Sequence, residues 1–439
     1  MVPQKSKPAS SLELNTIQTD KFKTELLSVT FTIPQDKLRV PLYGLVLSTL
    51  KRGTEKYPTL GDINRRLDDL YGTGISLRLT RYGNNCVLGF TAELLDEAYT
   101  NGEVNIFDGA LDVILQMLFH PATDENGNFL SKFVESEKSV TCDMIQSKIN
   151  NPKSYAYARC REIMFGDDDY GASLLGTVDQ ISSVTTETLT AIYREMLADR
   201  KFRAFYVGSK SHERVADLLL SRLRPYLREA ATFVPRTDCY VGEERACLRV
   251  DEKSDVSQGK LVIGFRTDVN ICHEDFYAML VFSEIFGSSP VSKLFMNVRE
   301  RLGLCYYCNA SYEIYKGVLF VTSGVDPASR EEAESEIFRQ LDEIRDGHIT
   351  SAEFDAAIHS LINSYRAISD FPATLESYYD GRDVFALSCT IEECMAGIMR
   401  VTPEDVIRVA KGIRVDTVYF LWGDKEQNEE DEDDINDAV

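Results

Sequence analysis

The chain carries the same succession of apolar and polar positions twice. Segments 184–208 and 401–423 start about 217 residues apart and share one pattern. In each, a helical stretch is followed by a strand rich in aromatic and β-branched residues, and the strand ends at glycine. Thr185 and Thr402 stand where a helix N-cap is expected. Because order and chemistry repeat together, the pattern predicts two halves of the same fold.

A second repeat precedes the first. Segments 70–91 and 302–322 each read as a β-hairpin, with turns at Gly83-Asn84-Asn85 and Lys316-Gly317. Helical periodicity follows both hairpins, at 103–119 and 329–346. We therefore expect an α+β fold of two homologous domains, each a mixed, mainly antiparallel sheet with helices packed on one face. Two unrelated domains with chance similarity are the alternative.

Composition sets the boundaries of these domains. We predict an N-terminal domain over 1–232, a polar linker over 233–258 and a C-terminal domain over 259–423. Residues 424–439 hold nine acidic residues and one lysine, a composition typical of a disordered tail.

Charge and hydropathy limit the partners and the cellular location that we expect for this chain. The formal net charge is −22, which argues against binding nucleic-acid phosphates. No stretch approaches the ~18 apolar residues of a membrane span, and the N-terminal residues have no apolar signal-peptide region. We expect a cytoplasmic protein with neither a nucleic-acid nor a membrane partner.

The ten cysteines are scattered, so free buried thiols are expected. Only Cys305-Tyr306-Tyr307-Cys308 has the C-x-x-C spacing. It falls in a predicted strand, whose regular alternation would send positions 305 and 308 to opposite faces. We therefore expect neither a shared metal nor a redox pair there.

A motif that would carry chemistry occurs in altered form near residue 50. Residues 43–59 resemble the active-site helix of the pitrilysin/insulinase-type (inverzincin) zinc peptidases, in which H-x-x-E-H precedes a Lys-Gly-Thr turn. Aligned on Gly53 and Thr54, the two histidine positions hold Gly44 and Ser48, and the glutamate position holds Leu47. The resemblance thus implies the peptidase fold without its metal-binding motif.

The third zinc position is altered as well. The segment from Glu137 to Asn151-Pro152 resembles the family segment that supplies a glutamate ligand, and the alignment puts that ligand on Met144. Catalytic zinc needs about three protein ligands, and Gly44, Ser48 and Met144 supply no imidazole or carboxylate. We expect no metal and no catalytic residue in this chain. An active metallopeptidase with a relocated metal site is the alternative, although the only tight cluster containing a histidine, His273-Glu274-Asp275, is better explained as an exposed loop or helix start.

The second half gives the most specific match. Residues 294–306 are very similar to the family pattern L-F-x-x-L-R-E-x-x-G-L-A-Y. In the family, the Arg and Tyr of this pattern line the substrate chamber, and here they are Arg299 and Tyr306. Guanidinium and phenol groups can donate hydrogen bonds to a peptide carbonyl. A helix-surface arginine and a half-buried strand tyrosine are the simpler alternative.

Together these matches imply a non-catalytic, peptide-binding subunit that forms half of a clamshell. The expected partner is a homologue that bears H-x-x-E-H and carries the zinc in a heterodimer, and the expected ligand is an unfolded or extended peptide. Within the family, the details look closest to the bacterial subunits associated with 5-aminopentanol modification of elongation factor P. A scaffolding homologue without a peptidase role is the remaining alternative.

Overall fold

The computed structural model describes residues 1–198, 200–228, 235–237 and 246–423. The predicted acidic tail, 424–439, and part of the predicted linker lie outside the described residues. The strands are β1 Gln4–Ala9, β2 Leu12–Gln18, β3 Thr24–Pro34, β4 Gly74–Tyr82, β5 Asn85–Leu95, β6 Phe202–Gly208, β7 Leu248–Lys253, β8 Gly259–Arg266, β9 Cys305–Glu313, β10 Val318–Val325 and β11 Arg414–Trp422. The helices are α1 Val40–Leu50, α2 Leu60–Asp69, α3 Ile106–Phe119, α4 Ser131–Asn150, α5 Pro152–Phe165, α6 Val178–Ser182, α7 Thr186–Leu197, α8 His212–Leu223, α9 Phe276–Ser283, α10 Arg330–Arg345, α11 Ser351–Ala367, α12 Pro372–Val384, α13 Ile391–Ile398 and α14 Pro403–Gly412. Within the described residues, no helix is both long enough and apolar enough to cross a membrane.

The strands form two mixed sheets, as the sequence predicts. The first has the order β1-β2-β6-β3-β5-β4, and the second has the order β7-β11-β8-β10-β9. Each sheet contains one parallel pair, β2 with β6 and β7 with β11, and its other pairs are antiparallel. The α+β expectation of two similar, mainly antiparallel sheets is confirmed.

The repeated helix starts are also as predicted. Thr185 caps α7 and accepts from the backbone N–H of Thr188, while Thr402 caps α14 and accepts from that of Asp405. In both cases the third helical residue hydrogen-bonds back to the cap, which completes a capping box. The two hairpins turn at Gly83 and Gly317, which have φ of 57° and 73°.

The compact units do not follow the sequential domain boundaries that we predicted. The first unit contains residues 1–146, the described part of 173–237, and 366–391. The second contains 147–172, the described part of 238–365, and 392–423. Each unit therefore includes one helix from the other half of the sequence, α12 in the first and α5 in the second. The order of the elements along the chain does not reveal this exchange of helices, because the chain passes from one unit to the other inside α4 and α11.

The predicted linker also contains a strand. Residues 248–253, inside the predicted 233–258 linker, form β7, which runs parallel to β11 at the edge of the second sheet. Its outward positions are charged, and only alternate residues are partly covered. A short edge strand of this kind looks polar in sequence because only one of its faces is covered.

Helix α5 covers the second face of the second sheet. Ala156, Cys160 and Met164 pack on Val262, Phe320 and Tyr419, which alternate with the strand residues that face the main core. Tyr155 and Tyr419 both donate to the carboxylate of Glu252, over 2.6 and 2.9 Å. The contact is thus apolar along the helix and polar at its margin.

Helix α12 packs on the first sheet through a cluster of buried charged side chains. Glu376 and Asp380 lie one turn apart on its inner face, opposite Arg78 on β4 and Arg203 on β6. Asp380 bridges the two arginines, with 2.8 Å from Oδ2 to Arg78 Nη2 and 2.8 Å from Oδ1 to Arg203 Nη2. All four residues are buried. Buried charges of this kind are costly unless they are fully paired.

We expect the stability of the first unit to depend on pH through Glu376. Burial raises the pKa of this carboxyl to about 7, against an ordinary value of 4.5. The folded state therefore binds the proton of Glu376 more tightly than the unfolded state does. The stability contributed by this carboxyl is complete below about pH 4.5 and is lost as the pH rises through 7. The free energies of unfolding of the wild type and Glu376→Gln, measured by urea titration, should diverge by up to about 1.4 kcal/mol per pH unit in this window. Parallel curves from pH 5 to 8 would contradict this assignment.

Candidate functional site

Helix α1, which carries the altered zinc motif, is buried on most of its surface. Its start is fixed by Asp36, whose Oδ1 accepts from the backbone N–H groups of Leu38 and Arg39 at 2.7 and 3.0 Å. Pro41 occupies its first turn. Six of the other ten residues of the helix are apolar and buried, as expected for a helix that faces a hydrophobic core over most of its surface.

The positions aligned with the zinc ligands have no metal-binding chemistry. Gly44 and Ser48 lie one turn apart on the half-buried side of α1. A Cβ at Gly44 would stand 3.1 Å from Leu79 Cδ2, so a larger side chain would displace Leu79. Leu47 is fully buried in the hydrophobic core. Met144, the third position, is on α4 with 49% of its surface exposed.

The parts of this motif that the chain retains have packing roles. A Cβ at Gly53 would lie 2.5 Å from the carbonyl oxygen of Pro58, so only glycine fits there without a backbone shift. Buried Thr54 accepts from the backbone N–H of Tyr57 at 2.9 Å and closes the turn. Retention of Gly53 and Thr54 is therefore explained without a metal.

The acidic residue that the resemblance places at this locus, Glu137, is already paired. Glu137, on the buried face of α4, forms a short ion pair with Nε of Arg52. It therefore neutralises the arginine beside the Gly53 turn. Across the described ranges, no three His, Cys, Asp or Glu side chains are grouped so as to hold a metal ion. The residues at the aligned positions do not fit zinc, and we derive no chemistry from a metal in this chain.

The second-half motif begins with a π-helical segment, Leu294–Arg301, here called the motif helix. Leu294 and Val298 are fully buried, and Asn297 Nδ2 donates to Gln340 Oε1 of α10 over 3.0 Å. These contacts fix the orientation of the helix. Short π-helical segments are rare and occur frequently at functional sites.

A glycine then turns the chain from the motif helix into β9. Gly303 has φ of 61°, the left-handed conformation that favours glycine at helix ends. The backbone N–H of Leu304 donates to the carbonyl of Val298 over 3.0 Å, which closes the helix end. Packing and turn geometry thus account for the apolar residues and the glycine of the motif. They do not account for Arg299 and Tyr306.

Arg299 lies on the exposed side of the last turn of the motif helix. Its side chain is 41% exposed, and its guanidinium lies 4.8 Å from the centroid of the Phe295 ring, one turn earlier. Its Nε is 3.6 Å from Oε1 of Glu300, and both residues are largely exposed. An ion pair this exposed contributes little to stability, so Arg299 is not needed to hold the fold together.

Tyr306 is the extra residue of a β-bulge. In the pairing of β9 with β10, Cys305 faces Val325 while Tyr307 faces Gly324, so Tyr306 lies between two residues whose partners are adjacent. Its side chain is 47% exposed on an edge strand. Bulges at sheet edges redirect side chains and are common beside active sites.

The same bulge overturns our expectation for Cys305 and Cys308. The extra residue shifts the alternation by one position, so both side chains point into the core between the second sheet and its helices. The two thiols are hydrogen-bonded to each other. Sequence spacing could not reveal this, because a bulge depends on the register with the neighbouring strand.

The cluster His273-Glu274-Asp275 lies at the start of a helix, as we expected. His273 Nδ1 accepts from the backbone N–H of Asp275 over 3.0 Å, and the carbonyl of His273 accepts from Phe276 at the start of α9. The cluster is exposed, and Asp275 also pairs with Arg408.

Comparison with known proteins identifies the family. Residues 183–361 match the family described as "Peptidase M16 inactive domain". The chain is 30% identical over 413 residues to the "Probable inactive metalloprotease YmfF" of Bacillus subtilis, covering 94% of this chain and 96% of that protein. The chain belongs to the M16 peptidase family.

Solved structures of other proteins share this fold. A conserved protein from Enterococcus faecalis superposes with a TM-score of 0.87 at 25% identity, covering 98% of this chain and all of that one. The M16 inactive domain from Pseudomonas fluorescens gives 0.79 at 15% identity, with 98% and 100% coverage, and this likeness shows the fold alone. The inferred membership of the pitrilysin-type peptidase family is therefore confirmed. The substrate-binding roles of Arg299 and Tyr306 stay predictions.

Proposed function

We propose that this M16 homologue is the non-catalytic, peptide-binding subunit of a heteromeric zinc peptidase. Its partner is a homologous chain that bears H-x-x-E-H and holds the zinc. Arg299 and Tyr306 donate hydrogen bonds to carbonyl groups of an extended peptide near the scissile bond. This chain alone has no peptidase activity.

The observation that carries the proposal is the contrast between the two motifs. At the first, the aligned positions hold Gly44, Leu47 and Ser48, and the retained Gly53 turn is explained by packing. At the second, packing and turn geometry account for Leu294, Val298 and Gly303, whereas Arg299 and Tyr306 are exposed hydrogen-bond donors. Both side chains can donate hydrogen bonds to the carbonyl groups of a bound peptide.

The surroundings of this pair suit an extended peptide. Strand β9 is an edge strand, so its outer backbone groups can add a further strand. Large apolar side chains are exposed at three places within the eleven residues 296–306, namely Met296, Leu302 and Tyr306. An edge strand supplies backbone hydrogen bonds, and neighbouring apolar side chains select among peptide side chains.

The proposal includes three further expectations from the sequence. They are the heterodimer, the cytoplasmic location and the narrower link to 5-aminopentanol modification of elongation factor P. The names of the relatives quoted above do not mention that modification. A scaffold role is the alternative, and the experiment below separates it from the proposal.

Reconstitution tests the proposed function. The tagged chain should co-purify from its native cell with a chain of similar length that contains H-x-x-E-H. The purified pair should cleave an unfolded polypeptide in a zinc-dependent way, and each chain alone should be at least about 100-fold slower, since each lacks one half of the site. Stoichiometric zinc that survives dialysis of this chain alone, together with cleavage, would overturn the proposal. A partner that is fully active by itself would favour the scaffold role.

A further inference from the structure

The bulge at Tyr306 brings two thiols together at one end of β9. Cys305 is opposite Val325 and Cys308 is opposite Ser323, so the two cysteines stand against positions two residues apart on β10. Both are free thiols, and both face the core on the helix side of the sheet. Regular alternation would have separated them by the thickness of the sheet.

The two thiols have unequal environments. Cys308 is completely buried, while Cys305 is 7% exposed and is separated by the buried Leu304 from the exposed turn at Leu302 and Gly303. The hydrogen bond from Cys308 and the positive charge of Arg299 lower the pKa of the Cys305 thiol. The hydrogen bond to Cys305 and its burial raise the pKa of Cys308. Two adjacent thiols, one with a lowered pKa and the other more deeply buried, are found in dithiol redox pairs.

We propose that Cys305 and Cys308 are a redox modification site that forms a reversible intrachain disulfide with a peroxide as oxidant. The Cys305 thiolate attacks one oxygen of the peroxide, the O–O bond breaks, and Cys305 becomes a sulfenic acid as hydroxide leaves and takes up a proton. The thiol of Cys308 then loses its proton and attacks the Cys305 sulfur, and the hydroxyl group leaves as water. Two thiols and one hydrogen peroxide thus give one disulfide and two waters.

Formation of this bond must move the bulge. Positions two residues apart on a strand are separated by about 6.8 Å, which is about the upper limit for the Cα atoms of a disulfide. Disulfide Cα atoms most often lie about 5.5–6 Å apart, so we expect the backbone between the cysteines to contract, and the residue that the bulge displaces there is Tyr306. If Tyr306 holds substrate, oxidation changes its position and lowers turnover; this last step rests on the proposed function, whereas the disulfide does not.

Mass spectrometry of the full-length wild-type chain tests the disulfide directly. The reduced protein is treated with hydrogen peroxide, quenched with N-ethylmaleimide and digested with trypsin without reduction. Cleavage after Arg301 and Lys316 releases peptide 302–316, which contains Cys305 and Cys308 and no other cysteine. We expect this peptide to appear unalkylated and lighter by two hydrogen atoms, and to become doubly alkylated after dithiothreitol. Two alkylated thiols after peroxide, or a sulfinic acid on Cys305 without a crosslink, would overturn the proposal.

Variants supply the matched controls. Cys308→Ser should leave Cys305 at the sulfenic stage, which a dimedone probe traps, whereas Cys272→Ser, at an exposed cysteine, should leave the crosslink intact. If Cys308→Ser fails to fold, the wild-type measurement still decides. Hydrogen exchange in residues 302–316 should differ between reduced and oxidised wild type, and equal exchange would contradict movement of the bulge. A crosslink that leaves turnover of the pair unchanged would refute only the coupling through Tyr306.

Discussion

Replacement of Asp380 by alanine is expected to destabilise the first unit by about 3–5 kcal/mol, because it leaves buried arginines without their shared counter-ion. Asp380 is the only described residue whose carboxylate lies within 3 Å of both Arg78 and Arg203. After its removal Arg78 keeps Glu376, but the nearest carboxylate to Arg203 is Asp383, 3.5 Å away and itself paired with Lys5. The guanidinium of Arg203 then remains buried and poorly compensated.

The chain offers a matched control and a probe for this experiment. Asp370 lies close to α12 in the sequence and pairs with Lys21, but both side chains are well exposed, so Asp370→Ala should cost less than about 1 kcal/mol. Trp422, the only tryptophan, is on β11 of the second sheet. Asp380→Ala should therefore lower the urea midpoint measured by far-ultraviolet circular dichroism more than the midpoint measured by tryptophan fluorescence. A circular dichroism midpoint no lower than that of Asp370→Ala would refute the role assigned to Asp380.

The repeated parts of the fold could be predicted because they are encoded locally. The caps at Thr185 and Thr402 and the turns at Gly83 and Gly317 depend on residues within a few positions of one another. The placement of α12 on the first sheet depends instead on pairings between residues more than 150 positions apart, such as Arg203 with Asp380. A signal was present, because Glu376, Asp380 and Asp383 recur on one helical face. An acidic stripe is more often solvated, however, so sequence alone does not show that it is buried.

The candidate site likewise has features that could be predicted from local sequence and features that could not. The loss of the motif's zinc ligands at Gly44, Ser48 and Met144 could be read from residue identity alone, since these residues supply neither imidazole nor carboxylate. The position of Tyr306 could not, because it depends on where β9 shifts its register against β10. The same shift made our expectation for Cys305 and Cys308 wrong. Residue chemistry is local information, whereas the direction of a strand side chain depends on the neighbouring strand.

Arg299→Ala should lower kcat/KM of the reconstituted pair by about 100-fold, the size of effect seen when a donor to the reacting carbonyl is removed. The guanidinium is exposed and makes only weak contacts, to Phe295 and Glu300, so its loss should leave folding and assembly unchanged. If the hydrogen bond strengthens as charge develops on the carbonyl oxygen, kcat should fall more than KM rises. Arg299→Lys should recover only part of the activity, because an ammonium lacks the planar fork of donors.

Arg301 provides the control, since it is on the same helix two residues later. Its side chain is 56% exposed, and it contacts Glu336, which keeps a second partner in Arg339 when Arg301 is removed. Arg301→Ala should therefore retain turnover within about twofold, as expected for an exposed ion pair worth less than about 1 kcal/mol. Equal turnover of Arg299→Ala and Arg301→Ala would mean that the guanidinium does not touch the substrate and that this subunit serves as a scaffold. A loss confined to Arg299 would distinguish a hydrogen bond to the peptide from a general effect of positive charge, because both variants remove one cation from the same surface.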